Sequence, residues 1–232
     1  MNNRAIRTFF LLAALLLELG SQMAFAQENE QMFIYQVEGK NYTKKSFNKK
    51  GDLKSSQIFK VGKVEKEKDQ YSMLLKVYAY NEKGVLEDSA ETKYTCKPSA
   101  KRVLMTVFPF AEFNTNKTVK IELADENISY PDTWTLGMEM ADISFSLTLE
   151  GGVLGAFGTS SKNQIYNRII SSQDTLENTY TISSLVRVEA YMFGFRLDTI
   201  EFTVEETVHP QKGIIKQYFK ESNGEYFTIN LQ

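Results

Sequence analysis

Apolar residues recur at every second position over most of this chain, and that period predicts β-strands rather than helices. Phe33, Tyr35 and Val37 alternate in this way, as do Leu75, Val77 and Ala79, then Ile143, Phe145, Leu147 and Leu149. The pattern returns near the end with Val186, Val188 and Ala190, then Ile200, Phe202 and Val204. In the last run Tyr226, Thr228 and Asn230 lie on one face and Phe227, Ile229 and Leu231 on the other. The best helical candidate is short, at residues 163–170, and it competes with a strand because Ile165, Ile169 and Ile170 are β-branched.

Turns punctuate these runs. Phe47-Asn48-Lys49-Lys50-Gly51-Asp52-Leu53 and Tyr80-Asn81-Glu82-Lys83-Gly84-Val85-Leu86 share the order aromatic, Asn, x, Lys, Gly, x, Leu. Asn closes a turn with its side chain and Gly takes the left-handed conformation, so each segment predicts a hairpin tip. Ser222-Asn223-Gly224-Glu225 predicts a third, joining residues 214–219 to 226–231. Two copies between segments of unlike length fit a meander better than a repeat array. The expected fold is therefore all-β, an antiparallel curved sheet or β-sandwich of about ten or more strands built from meandering hairpins. Pro131 marks a connector, because proline does not sit in a central strand. Gly151, Gly152, Gly155 and Gly158 mark the most flexible stretch by composition.

The N-terminus follows a different logic. Arg4 and Arg7 precede a mostly apolar run from Phe9 to Leu19, and Ala24-Phe25-Ala26 follows. This is the layout of a secretory signal peptide cleaved after Ala26. Glu18 interrupts the run, which is short for a spanning helix; the alternative is an uncleaved N-terminal anchor. No Cys follows the run, so lipid attachment there is not expected. The expectation is a periplasmic or secreted protein without a membrane span after cleavage, with residues 27–232 as a single domain. Any division into two halves would fall near residue 130.

Composition narrows the chemistry. The chain has 232 residues, and 27 basic against 29 acidic side chains give a net charge of −2, which lacks the footprint of a nucleic-acid binder. The Lys-rich run 60–68 also holds Glu65 and Glu67 and reads as a mixed-charge solvated edge or turn. Cys96 has no partner in the chain for a disulfide and reads as a small buried hydrophobe on a strand. The sequons at Asn41, Asn116 and Asn127 matter only in a eukaryotic secretory pathway.

His209 is the sole imidazole. It precedes Pro210 and is expected in a solvated loop, where His209→Ala should be nearly silent. Glu205 and Glu206 are adjacent on a strand and point to opposite faces, and Asp198 and Glu201 differ by an odd offset. Solvated strand faces are the expectation for these carboxylates, so a carboxylate-based glycoside hydrolase ranks behind binding. No metal or phosphate motif is present; Asp125-Glu126-Asn127 is too short to predict calcium. Thus no catalytic, metal or cofactor residues are assigned, and ligand-binding residues are not fixed at this level. The 16 Phe and 12 Tyr mostly fill the space between sheets but leave room for an apolar groove; Tyr78 with Tyr80, and Phe193 with Phe195, are spaced to share a strand face. The expected function is an exported, non-catalytic envelope protein that binds a hydrophobic or extended ligand or a partner protein, the alternative being a structural subunit that pairs through a sheet edge.

Several segments, in order, resemble the TapB-like family of exported bacterial envelope proteins, which are similar to proteins with a YmcC-like all-β fold. The matching residues are the two Asn-x-Lys-Gly hairpins, Tyr94-x-Cys96-Lys97, Tyr130-Pro131, Leu136-Gly137-Met138, and Lys212-Gly213-Ile214-Ile215-Lys216 leading through Tyr218 to Asn223-Gly224. Glu177-Asn178-Thr179-Tyr180-Thr181 and Val208-His209-Pro210 depart from the family pattern. The resemblance implies an envelope location and an antiparallel β-fold, and it carries no catalytic residues.

Overall fold

The computed structural model describes residues 37–67, 70–97, 118–124, 131, 133–150 and 158–232. Twelve strands follow in chain order: β1 (Asn41–Phe47), β2 (Leu53–Glu67), β3 (Gln70–Asn81), β4 (Leu86–Cys96), β5 (Thr118–Leu123) and β6 (Glu139–Met140), then β7 (Ile143–Glu150), β8 (Ser160–Asp174), β9 (Thr179–Met192), β10 (Phe195–His209), β11 (Gly213–Glu221) and β12 (Tyr226–Leu231). The helical candidate at 163–170 lies within β8, where its β-branched isoleucines favour the strand.

All twelve strands share one sheet, and the sheet closes. β1 pairs with both β2 and β12, and β8 pairs with both β7 and β9, so eleven strands form a barrel and β6 joins β8 beyond the end of β7. Closure is more specific than the curved sheet or sandwich that alternation implies, because alternation marks faces and not which strands meet. β4 and β5 pair in parallel, a departure from the antiparallel expectation that requires a long connection, and residues 97–117 supply the length. β5 and β7, on either side of residue 130, are hydrogen-bonded neighbours.

The three turns expected from sequence form as their side chains direct. Asn48 Oδ1 accepts from the N–H groups of Lys50 at 2.8 Å and Asp52 at 3.0 Å. Asn81 Oδ1 accepts from Lys83 and Val85, both at 3.0 Å, and Asn223 Oδ1 accepts from Glu225 at 2.7 Å. Gly51 and Gly84 have φ of 89° and 75°, which glycine adopts without steric cost.

Every second residue points into the barrel. Val119, Ile121, Leu147, Leu149, Met73, Leu75, Tyr94 and Cys96 fill one side of it, all buried. Cys96 is thus the small buried hydrophobe expected, and burial pushes its thiol up to about 12. At Val61/Val64 the β2–β3 register shifts, and a Cβ on Gly62 would stand 2.9 Å from the Leu74 carbonyl, so this bulge admits only glycine without rearrangement. Residues 60–67 of this run lie in β2; the β1 register ends at Lys60, so among the described residues 62–67 have a strand neighbour on the β3 side alone, and Lys60, Lys63 and Lys66 are exposed, in keeping with the expected solvated edge.

The two ends differ. We call upper the end holding the β1–β2, β3–β4, β9–β10 and β11–β12 turns, and lower the end holding the β8–β9 and β10–β11 turns. At the lower end Trp134 stacks on Tyr180 at 5.1 Å, and Trp134, Met138 and Met140 pack against the core. The segment is held by Gly137 N–H donating to Ile170 O at 2.8 Å and Ile170 N–H donating to Met138 O at 3.0 Å. Residues 1–26, Phe33, Tyr35, Lys68, Asp69, Asn116, 125–127, Tyr130 and 151–157 lie outside the described residues.

Candidate ligand site at the barrel mouth

The upper end opens into a cavity of about 400 Å³. Register places its lining on the inner face: Ser46 is opposite Phe227, Phe219 opposite Phe227, Phe202 opposite Glu221 and opposite Val186, and Val188 opposite Ile200. The walls are Val188, Ile200, Phe202 and Phe227, with Lys44 and Ser46 from β1. Three rings anchor this side: Phe219 stacks on Phe227 at 4.6 Å, and Phe202 meets both edge-on at 5.9 and 5.7 Å. Lys44 is only 2% exposed, and its ammonium lies 4.5 Å from the Phe227 ring centroid, a cation–π contact inside the cavity wall. At the rim Lys54 Nζ is 2.9 Å from a Glu225 oxygen, Asn223 Nδ2 donates to Glu221 at 2.7 Å, and Phe47 stacks on Tyr226 at 4.8 Å.

Below the mouth the same wall carries a polar nest. Glu206, Gln217 and Arg168 are buried, and Gln217 Nε2 donates to Glu206 Oε1 at 2.6 Å. Burial pushes the Glu206 carboxyl above the usual carboxylate range, and the charge of Arg168 and the Gln217 hydrogen bond oppose that rise. Arg168 Nη1 donates to Ala141 O at 2.9 Å, tying the nest to the lower-end segment. Ser184 Oγ and Gln217 Oε1 are buried without hydrogen-bond partners among the described residues.

A larger concavity of about 570 Å³ lies on the outer surface across β5, β7, β8 and β9. Its charges are engaged with one another or with adjacent side chains: Arg187 pairs with Glu201 at 2.7 Å, and Glu122 with Lys120 at 2.7 Å. Its lining is about as polar as that of the mouth, but it carries no counterpart to the cluster of Val188, Ile200, Phe202 and Phe227.

Three expectations are corrected here. His209 is 9% exposed, and its Nδ1 accepts from the N–H groups of Gln211 at 3.1 Å and Lys212 at 3.3 Å. It is a buried turn cap, because the β10–β11 connection folds back over the ring. Glu206 is buried and not on a solvated face; Glu205 does face outward, as alternation requires. Phe193 and Phe195 do not share a strand face: Phe193 sits at the β9–β10 turn with φ of 53°, and Phe195 opens β10, 75% exposed. Tyr78 lies under the Lys60 ammonium at 5.1 Å, on the outer face. Glu201 binds Arg187 while Asp198 Oδ1 accepts from Thr199 N–H at 2.8 Å, so they do not converge. Among the described residues no group of three or more His, Cys, Asp or Glu could hold a metal ion, and no helix is long and apolar enough to cross a membrane.

Sequence reading missed Lys44, Arg168 and Gln217. Lys44 was findable, since it shares the alternation of buried Tyr42, two residues before it. Arg168 was not, because the β8–β9 register shift between Tyr166 and Ile169 changes the facing residue.

A family model described as DUF3108-like matches residues 37–217, from the entrance to β1 to the middle of β11. The chain belongs to the DUF3108-like family. This agrees with the resemblance to an exported family of YmcC-like fold. The DUF3108-like barrel is similar to a solved structure assigned as a lipoprotein of Parabacteroides distasonis, with TM-score 0.50 and 15% identity over 86% of this chain and 97% of that one. A solved structure from Bacteroides fragilis, assigned as an exported protein with YmcC-like fold, also matches, with TM-score 0.46 and 13% identity over 84% of this chain and 94% of that one. No curated protein matches the chain with significance.

Proposed function

We propose that this DUF3108-like barrel is an exported binding protein that holds a hydrophobic small molecule in its mouth. The carrying observation is the cavity of about 400 Å³ inside the upper end, walled by Val188, Ile200, Phe202 and Phe227. A concave, mostly apolar site with a few placed polar groups is the usual form of a small-molecule pocket. The Arg4-Arg7 and Ala24-Phe25-Ala26 layout supports export, and the lipoprotein assignment of the Parabacteroides neighbour accords with it. Glu221 and Glu225 line the same cavity, but Asn223 and Lys54 engage them at the rim, an arrangement suited to bracing the mouth.

A second reading has one observation in its favour. β10 pairs with β11 only from Phe202 onward, so among the described residues 195–201 have a strand neighbour on the β9 side alone, an edge another chain could extend. Native mass spectrometry of protein purified from its source separates the two. A small bound mass supports the mouth, and a copurifying chain supports the edge. Protein that carries neither, and takes up no apolar probe, contradicts the binding reading.

A further inference from the structure

The β9–β10 hairpin turns on Phe193 and Gly194, with φ of 53° and 78°. Positive φ at both central positions is the geometry that asparagine and glycine supply in tight hairpins, and a bulky side chain there is strained. The other non-glycine residues at positive φ among the described residues are Asn167 and Asn178, so Phe193 is the exception. Nor does its ring lie in the core: Phe193 is 61% exposed, beside Phe195 at 75% and Leu197 at 62%. A strained aromatic held largely in water points to a role outside the core, and large apolar groups clustered at the surface mark a protein or membrane contact.

The rungs below this turn are graded. Met192 opposite Phe195 is apolar, Tyr191 opposite Arg196 is amphipathic, and Leu197 is the extra residue of the bulge that follows. Next come Ala190 opposite Asp198 and Glu189 opposite Thr199. Tyr191 Oη donates to Glu189 at 2.7 Å and Arg196 Nη1 lies 3.4 Å from the same carboxylate, so both polar ends are drawn away from the tip. Asp198 separates this apolar cap from the cavity wall and makes the tip a surface of its own. From Phe193 to Leu197 the cap covers about 10 Å of strand, the depth to which interfacial segments enter a bilayer. Apolar groups at the end, an aromatic hydroxyl and a cation beneath them and carboxylates below follow the order of hydrocarbon, head groups and water. Shape argues the same way. Phe195 continues the inner face of the hairpin and Phe193 caps its turn, so the apolar groups surround a projecting tip and share no flat face. A protein partner would have to enclose that tip in a pocket, whereas lipid closes round it from every side. We propose that the β9–β10 tip docks on a lipid surface, with Phe193, Phe195 and Leu197 at the acyl boundary and Tyr191 and Arg196 among the head groups. This docking is independent of what the mouth holds.

Co-sedimentation of the purified protein with phosphatidylcholine vesicles tests this. The wild type is expected in the vesicle pellet, and Phe193→Asn combined with Phe195→Ser should weaken partition by about tenfold or more, the worth of two rings returned to water. Phe193→Asn alone should weaken partition and raise Tm together, because asparagine relieves the turn. A lowered Tm there would mean that Phe193 serves folding, and contradicts the proposal. Phe195→Trp reports on the tip itself: its emission should move to the blue when vesicles are added, while that of the wild type, from the single Trp134 at the lower end, should not. Three results overturn the proposal: wild type that stays in the supernatant, pelleting that survives in the double variant, and self-association without pelleting that the double variant abolishes, which would make the tip a contact between copies. Should the double variant fail to fold, Phe195→Trp decides alone, and an emission unmoved by vesicles contradicts docking.

Discussion

The two ends of the barrel are built from the same strands and finished differently. The lower end is sealed by the Trp134 segment, the His209 turn cap and the Lys40 ammonium, which donates to Lys212 O at 3.1 Å. The upper end is braced at its rim and left hollow, with apolar side chains facing the cavity and the β9–β10 hairpin. The contrast teaches where stability and binding are divided: substitutions at the lower end should cost folding energy, and substitutions at the mouth should cost ligand.

The largest expected effect is in the nest beneath the mouth. Glu206→Ala leaves Arg168 buried beside an emptied site and should cost roughly 3–5 kcal/mol in denaturant unfolding. Glu206→Gln tests the charge itself. Because folding raises the Glu206 pKa, its protonated form contributes stability fully present below the unfolded value, and that contribution is lost as pH rises through the raised folded value. The wild type should therefore lose ground to Glu206→Gln as thermal melts move from about pH 4 to about pH 8. A gap independent of pH contradicts the assignment.

At the seal, Trp134→Ala removes a partly buried stack and should cost roughly 2–4 kcal/mol, with ligand binding at the mouth retained. His209→Ala strips an acceptor from two turn N–H groups and should cost about 1–3 kcal/mol, read as a lowered Tm. A silent His209→Ala would restore the solvated-loop expectation. The smallest effects belong to the upper turns: Asn48→Ala and Asn81→Ala each remove two local acceptances and should cost about 1 kcal/mol in unfolding experiments. A loss several times larger at either would mean that the upper turns carry the fold.

These turns were also the most legible feature of the sequence, because Asn, Lys and Gly act within a few residues of one another. The strands were legible where alternation was unbroken, as from Ile143 to Leu149, all four of whose apolar positions are buried. Closure was not legible. It depends on β8 meeting β9 and β12 meeting β1, long-range pairings that leave no local mark. The mouth was only half legible: aromatic abundance allowed an apolar groove, but Phe202 and Phe227 converge with Lys44 through three strands distant in sequence. His209 misled because a pre-proline position describes the backbone and says nothing of what folds over the ring.

The most direct test of the division between ends is a titration with an uncharged solvatochromic dye on two variants that melt like the wild type. Val188→Trp fills the mouth, and Lys162→Ala alters the outer concavity. The account expects Val188→Trp to weaken dye binding by about tenfold or more, the worth of a lost apolar pocket wall, with Lys162→Ala unchanged. Unchanged binding in Val188→Trp, or loss in Lys162→Ala alone, would contradict it.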